Sequence, residues 1–96
     1  MVNFLDFNRV YCYIKGKMSP TVFRYKDYRF FFFSREEERI HIHVSSGKGE
    51  AKFWLEPIVS LAQNYRLSAK ELQSIQRIIE VRKNEIKNSW RRHFRS

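Results

Sequence analysis

Two histidines spaced two apart, His41 and His43, stand in the strictly alternating run Ile40-His-Ile-His-Val44. On a strand that spacing points both rings to one face of the sheet. Neighbouring imidazoles suit three tasks near neutral pH: holding a metal, contacting a phosphate, or passing a proton. In acid–base cleavage of RNA, His41 or His43 would move the proton while Arg24, Arg29 or Lys52 stabilised charge on the scissile phosphate. A metal site needs a third ligand, and the candidates (His93, the Glu36, Glu37 and Glu38 run, and Cys12) are far off in sequence, so no metal is expected. The plain alternative is that both histidines hydrogen-bond locally or cover the sheet, with Trp54 packed on His41. Tyr25, Tyr28 and Trp54 interleave with Arg24, Arg29 and Lys52. Those types stack bases and pair phosphates, or else serve as core or partner-interface aromatics.

To present these side chains the chain needs a sheet. The β-rich run 21–25 leads through Lys26-Asp27 into residues 28–34, a hairpin by length and composition. Pairing Tyr25 with Tyr28 sets Phe23 opposite Phe30 and Val22 opposite Phe31. It also sets Arg24 beside Arg29, a like-charge pair that favours an anion or acidic group between them. Phe30, Phe31, Phe32 and Phe33 do not alternate with polar residues, so both faces of their strand need apolar cover. The charged residues 34–39, with Glu36, Glu37 and Glu38, read as a solvated loop.

A second hairpin follows, because residues 40–44 and 50–55 both alternate. A two-residue Gly47-Lys48 turn of type II′ puts Val44 opposite Ala51, Ile42 opposite Phe53 and Ile40 opposite Leu55. The aliphatic residues then share one face, while the other pairs His41 with Trp54 and His43 with Lys52. Beyond Pro57, the helical spacing of Ile58, Leu61, Ala62 and Tyr65 predicts a short helix over residues 58–65. Ser68 with Glu71 forms a capping box, and Leu67 with Leu72 a hydrophobic staple, so a helix is predicted to begin at Ala69 and run close to the C-terminus. Its apolar stripe is Leu72, Ile75, Ile79, Ile86, Trp90 and Phe94. Its outer side carries Arg77, Arg82, Lys83, Lys87, Arg91, Arg92 and Arg95 against Glu80 and Glu85. The fold class is then α+β: a small antiparallel sheet of about four strands in two hairpins, packed on a short helix and a long C-terminal helix.

At 96 residues and 11.8 kDa the chain holds one thin core, which excludes most multi-step enzymes. With 43% hydrophobic and 17% aromatic residues it is rich enough to fold rather than stay disordered. Nineteen Lys and Arg against ten Asp and Glu leave a formal charge of +9, a field that draws nucleic acid, anionic membrane or an acidic protein. A membrane surface ranks last, because the apolar stripe of the C-terminal helix is needed by the sheet. The lone Cys12 makes no internal disulfide, no secretory signal is evident and the apolar runs are far short of a membrane span, so a cytoplasmic protein is expected. No P-loop, nucleophile elbow, dinucleotide fingerprint or Cys-rich zinc motif is present, and no cofactor is expected.

Three segments in order carry a family resemblance: Met18-Ser-Pro-Thr-Val-Phe-Arg-Tyr-Lys-Asp-Tyr-Arg-Phe-Phe-Phe-Phe-Ser34, His41-Ile-His-Val44 and Glu50-Ala-Lys-Phe-Trp-Leu-Glu-Pro57. Together they resemble a family of short bacterial proteins known as a domain of unknown function, and the likeness runs from Met18 to about Phe94. The resemblance implies a gene beside that of a second small, acidic protein, in a toxin–antitoxin-like pair. There are three departures. Such sequences usually carry Gly where Asp27 stands, and Pro before the His-Ile-His run where this chain has Arg39-Ile40. Residues 1–17 lie outside the pattern: either they precede a natural start at Met18, or Val10 to Ile14 adds an edge strand to a single domain over 18–96.

Two functional readings stand. The first is a toxin-like protein acting on RNA or the translation machinery, a ribonuclease if His41 and His43 are its acid and base, with Arg24, Arg29, Lys52, Trp54, Arg82, Lys83, Lys87, Arg91 and Arg92 binding the anion. The second is a non-catalytic binding module that pairs with an acidic protein partner. A homodimer is compatible with either.

Overall fold

The computed structural model describes residues 21–32 and 39–94. Expectations for the N-terminal extension, the Val10 to Ile14 strand, Cys12, Phe33, the glutamate loop and Arg95 lie outside the described residues. Five strands form one antiparallel sheet: β1 Thr21–Tyr25, β2 Tyr28–Phe31, β3 His41–Ser45, β4 Glu50–Trp54 and β5 Ser60–Tyr65. Each pairs with the strands next to it in sequence, so the order is β1-β2-β3-β4-β5 and β3 lies in the middle. Two helices follow, α1 Ala69–Val81 and α2 Lys83–Phe94. The α+β class and the antiparallel sheet are as expected; among the described residues the strand count is one higher.

The alternating pattern fixed the central hairpin well. His41 pairs with Trp54, Ile42 with Phe53, His43 with Lys52 and Val44 with Ala51. Leu55 donates to the Ile40 carbonyl at 3.0 Å, which extends the ladder by one step. The turn differs from type II′: Gly47 is not in the left-handed region that type requires. Instead the Ser46 backbone donates to the Gly49 carbonyl, and the Ser46 hydroxyl accepts from the Lys48 N–H at 3.2 Å, a local bond that Ser supplies without glycine geometry. In the first hairpin Phe23–Phe30, Arg24–Arg29 and Tyr25–Tyr28 pair as expected. Phe31, however, faces Thr21 rather than Val22, because a bulge between Thr21 and Phe23 shifts the register. The left-handed residue of that turn is Lys26, with φ of 54°.

The helix expected over residues 58–65 is strand β5. Ile58 is 69% exposed and Leu61 44%, so the helical spacing does not correspond to a buried stripe. A lone two-turn helix is marginal in water, whereas β4 offers an open edge to pair with. Tyr65 pairs with Glu50 and Leu61 with Phe53, across a bulge. Gly49 lies so close to the Tyr65 carbonyl that a Cβ there would collide with it. After β5 the Asn64 side chain both accepts from the Leu67 N–H and donates to its carbonyl, steering the chain into α1.

The predicted capping box is present: the Glu71 N–H donates to the Ser68 hydroxyl at 3.1 Å, and the Ser68 N–H to the Glu71 carboxylate at 2.9 Å. The single long helix is a correction, because the chain leaves helical geometry at Arg82. A straight helix from Ala69 to Phe94 would be about 39 Å long, more than the 33 Å longest extent of the domain. Arg82 still donates to Ile78, and Ile86 to Arg82, so the bend costs few hydrogen bonds. It keeps Ile75, Ile79, Ile86 and Trp90 on one core with Phe30, Ile42, Val44, Phe53 and Leu55, the aliphatic sheet face. Against the same core pack Leu72, Phe94 and Phe23.

Candidate functional site

The other sheet face gathers the chemistry. Register puts His41, His43 and Ser45 of β3 with Glu50, Lys52 and Trp54 of β4, and extends the row through Arg29 to Arg24 on one side and Tyr65 on the other. Both histidines on this face are buried: His41 is 1% exposed and His43 3%. Phe31, on the same face, is buried too. The polar residues of β3 therefore do not mark a solvated face.

His41 Nδ1 lies 2.8 Å from the Arg39 carbonyl. A carbonyl can only accept, so Nδ1 is the donor in this contact. Its ring meets three others: His43 at 5.0 Å, Trp90 at 5.1 Å and Trp54 at 5.5 Å between centroids, all edge to face. The His43 ring stacks on Phe31 at 5.5 Å, and both of its nitrogens are buried. The packing of Trp54 on His41 is thus present, and the histidines belong to an aromatic cluster.

Trp54 carries two cations over its ring, Arg39 at 4.1 Å and Lys52 at 4.5 Å. Arg39 also donates to the Glu56 carbonyl at 3.0 Å, and the Glu56 carboxylate meets Lys87 of α2 at 3.2 Å. Arg39 is the residue missed from sequence. As the end of a charged run it reads as loop, yet odd-numbered positions 39, 41 and 43 share a face, and extending the alternation by one step places it beside Trp54.

The remaining sequence candidates are not brought to the histidines. Arg24 and Arg29 sit at the β1–β2 end of the sheet, where Arg29 donates to the Thr21 hydroxyl at 2.7 Å and lies over Phe31 at 4.5 Å. Arg82 stacks on Phe23 at 3.9 Å and bonds Glu85 at 3.1 Å. Arg91 donates to Asn88 and Arg92 to Ser89 on the exposed side of α2. Lys83 is half-buried at the start of that helix. The groups with perturbed acidity are elsewhere. Burial, with Glu71 and Asp27 nearby, pushes the Tyr28 phenol up; the Ser68 backbone N–H leads the contacts that hold the Glu71 carboxyl below its ordinary range. Among the described residues no group of three His, Cys, Asp or Glu could hold a metal, and no helix is long and apolar enough to cross a membrane.

These features define a small basic α+β domain, a five-stranded meander among the described residues with a bent helical layer packed on its aliphatic face and an aromatic–histidine cluster that Trp90 of α2 also reaches. The chain belongs to the family described as Domain of unknown function (DUF4160), whose model matches residues 27–91. Comparison with curated proteins and with solved structures returns no match.

Proposed function

We propose that the chain is a non-catalytic binding module that receives an acidic protein partner on its basic helical side. The observation that carries this reading is the burial of His41 and His43 to 1% and 3% exposure. A general acid or base must come within hydrogen-bond reach of the proton it moves, and these rings are buried, His41 against Trp54 and Trp90 and His43 against Phe31, which argues against access by a scissile phosphate in an RNA chain. The exposed cations Arg77, Arg91 and Arg92 instead lie on the helices, on a chain whose net charge of +9 attracts polyanions over a distance. Recognition of single-stranded RNA by stacking needs free ring faces, whereas Trp54 already carries Arg39 and Lys52 and Tyr28 is half-buried. An acidic partner is also what the family resemblance implies.

The test uses the purified chain with single-stranded RNA and, separately, polyglutamate. The expected result is salt-sensitive polyglutamate binding and intact RNA. RNA cleavage by the wild type that is lost in a folded His41→Gln variant would overturn the reading in favour of a ribonuclease, and so would RNA binding that is tight where polyglutamate binding is absent.

A further inference from the structure

The bend between α1 and α2 creates a feature that the core does not need. Ile75 and Ile79 face the sheet, and at 100° per residue Val81 points about 200° away from Ile79, toward solvent. It is 85% exposed, at the last position of α1. A β-branched residue there gains nothing from helix propensity and buries nothing. Single exposed apolar residues are ordinary, but Val81 is not alone. With Ile78 and the 44% exposed Tyr25 of the first hairpin it lines a groove of about 390 Å³, whose other walls are Arg77 and Arg82. Lys26 lies 5.6 Å from the Tyr25 ring centroid, adding a third cation at that end. Arg82 is held in place by Phe23 beneath it and Glu85 beside it, so its guanidinium is positioned before any ligand arrives. An apolar floor rimmed by cations, with Arg82 preplaced among them, selects its ligand by charge as well as by shape.

We propose that this groove is the docking site for an acidic amphipathic segment of a partner protein, with one or two large apolar side chains seated between Tyr25 and Val81 and flanking carboxylates on Arg77, Arg82 and Lys26. The proposal rests on the binding-module reading and names the contact that module makes. A purely electrostatic dock on the helix would have no use for Val81.

The probe is a synthetic peptide with two leucines among glutamates, compared with an analogue of equal charge in which serines replace the leucines. The leucine peptide is expected to bind with amide shifts centred on Tyr25, Ile78 and Val81, and the serine analogue at least about tenfold more weakly. Val81→Asp and Arg77→Glu, both at exposed positions and checked for unchanged thermal unfolding, should each weaken the leucine peptide by about tenfold or more. If both variants bind like wild type while Arg91→Glu/Arg92→Glu loses binding, the groove is overturned and the binding-module reading survives. If the wild type binds neither peptide, both fail. Equal affinity for the two peptides overturns the groove alone.

Discussion

On β3 the helix-side residues Ile42 and Val44 are fully buried, and the residues alternating with them, His41 and His43, are nearly as dry. The two faces reach the same burial by different physics. Ile42 and Val44 meet aliphatic and aromatic neighbours under α1 and α2, where apolar area removed from water is the whole gain. His41 and His43 bring polar nitrogens into an enclosed site, which is tolerable only where geometry answers them, as the Arg39 carbonyl does for His41 Nδ1. The helix-side face therefore contributes stability with little demand on orientation, while the histidine face fixes orientation.

The comparison breaks most severely from the helix side. Phe53→Ala removes a fully buried ring facing Ile42 and is expected to cost about 3–5 kcal/mol, read by denaturant unfolding. On the histidine side, His41→Phe keeps the ring packing against Trp54 and Trp90 but removes the donor to Arg39; a loss of about 2 kcal/mol is expected. A loss as large as that of Phe53→Ala would mean that the two faces do not differ in kind.

Smaller effects sharpen the picture. Ser68→Ala at the α1 cap should cost about 1 kcal/mol. The Glu71 carboxyl is held below its ordinary value of 4.5, so its contribution is full above that value and is lost as pH falls through the lowered one. Because the Ser68 backbone N–H is the leading cause, Ser68→Ala should keep most of this acid dependence, whereas Glu71→Gln should flatten it in pH-dependent unfolding curves. Smallest of all, Arg24→Glu replaces the cross-strand Arg24–Arg29 repulsion with attraction, an expected gain of about 0.5 kcal/mol that salt should erase.

Much of this was legible residue by residue. The strict alternation of residues 40–44 and 50–55, joined by a two-residue turn, gave the register of the central hairpin, and Ser68 with Glu71 marked the start of α1 to the residue. β5 was not legible, since Ile58, Leu61, Ala62 and Tyr65 happen to fall at helical spacing and the open edge of β4, a tertiary fact, decided the matter. The bend at Arg82 has no Gly or Pro to announce it. For the candidate site, sequence placed His41, His43, Lys52 and Trp54 together correctly but could not report their burial, because side-chain period says which face a residue occupies and not what covers that face. The groove escaped for a related reason: Tyr25 and Val81 are far apart in the chain and line one groove only in the folded protein.

The meander order has a kinetic meaning. Every described strand pairs with its sequence neighbours, so each ladder forms by closing a short loop, and no strand waits for a partner from the far end of the chain. The sheet can grow hairpin by hairpin as the polypeptide leaves the ribosome, and the two helices, which follow the strands in sequence, then close over its aliphatic face.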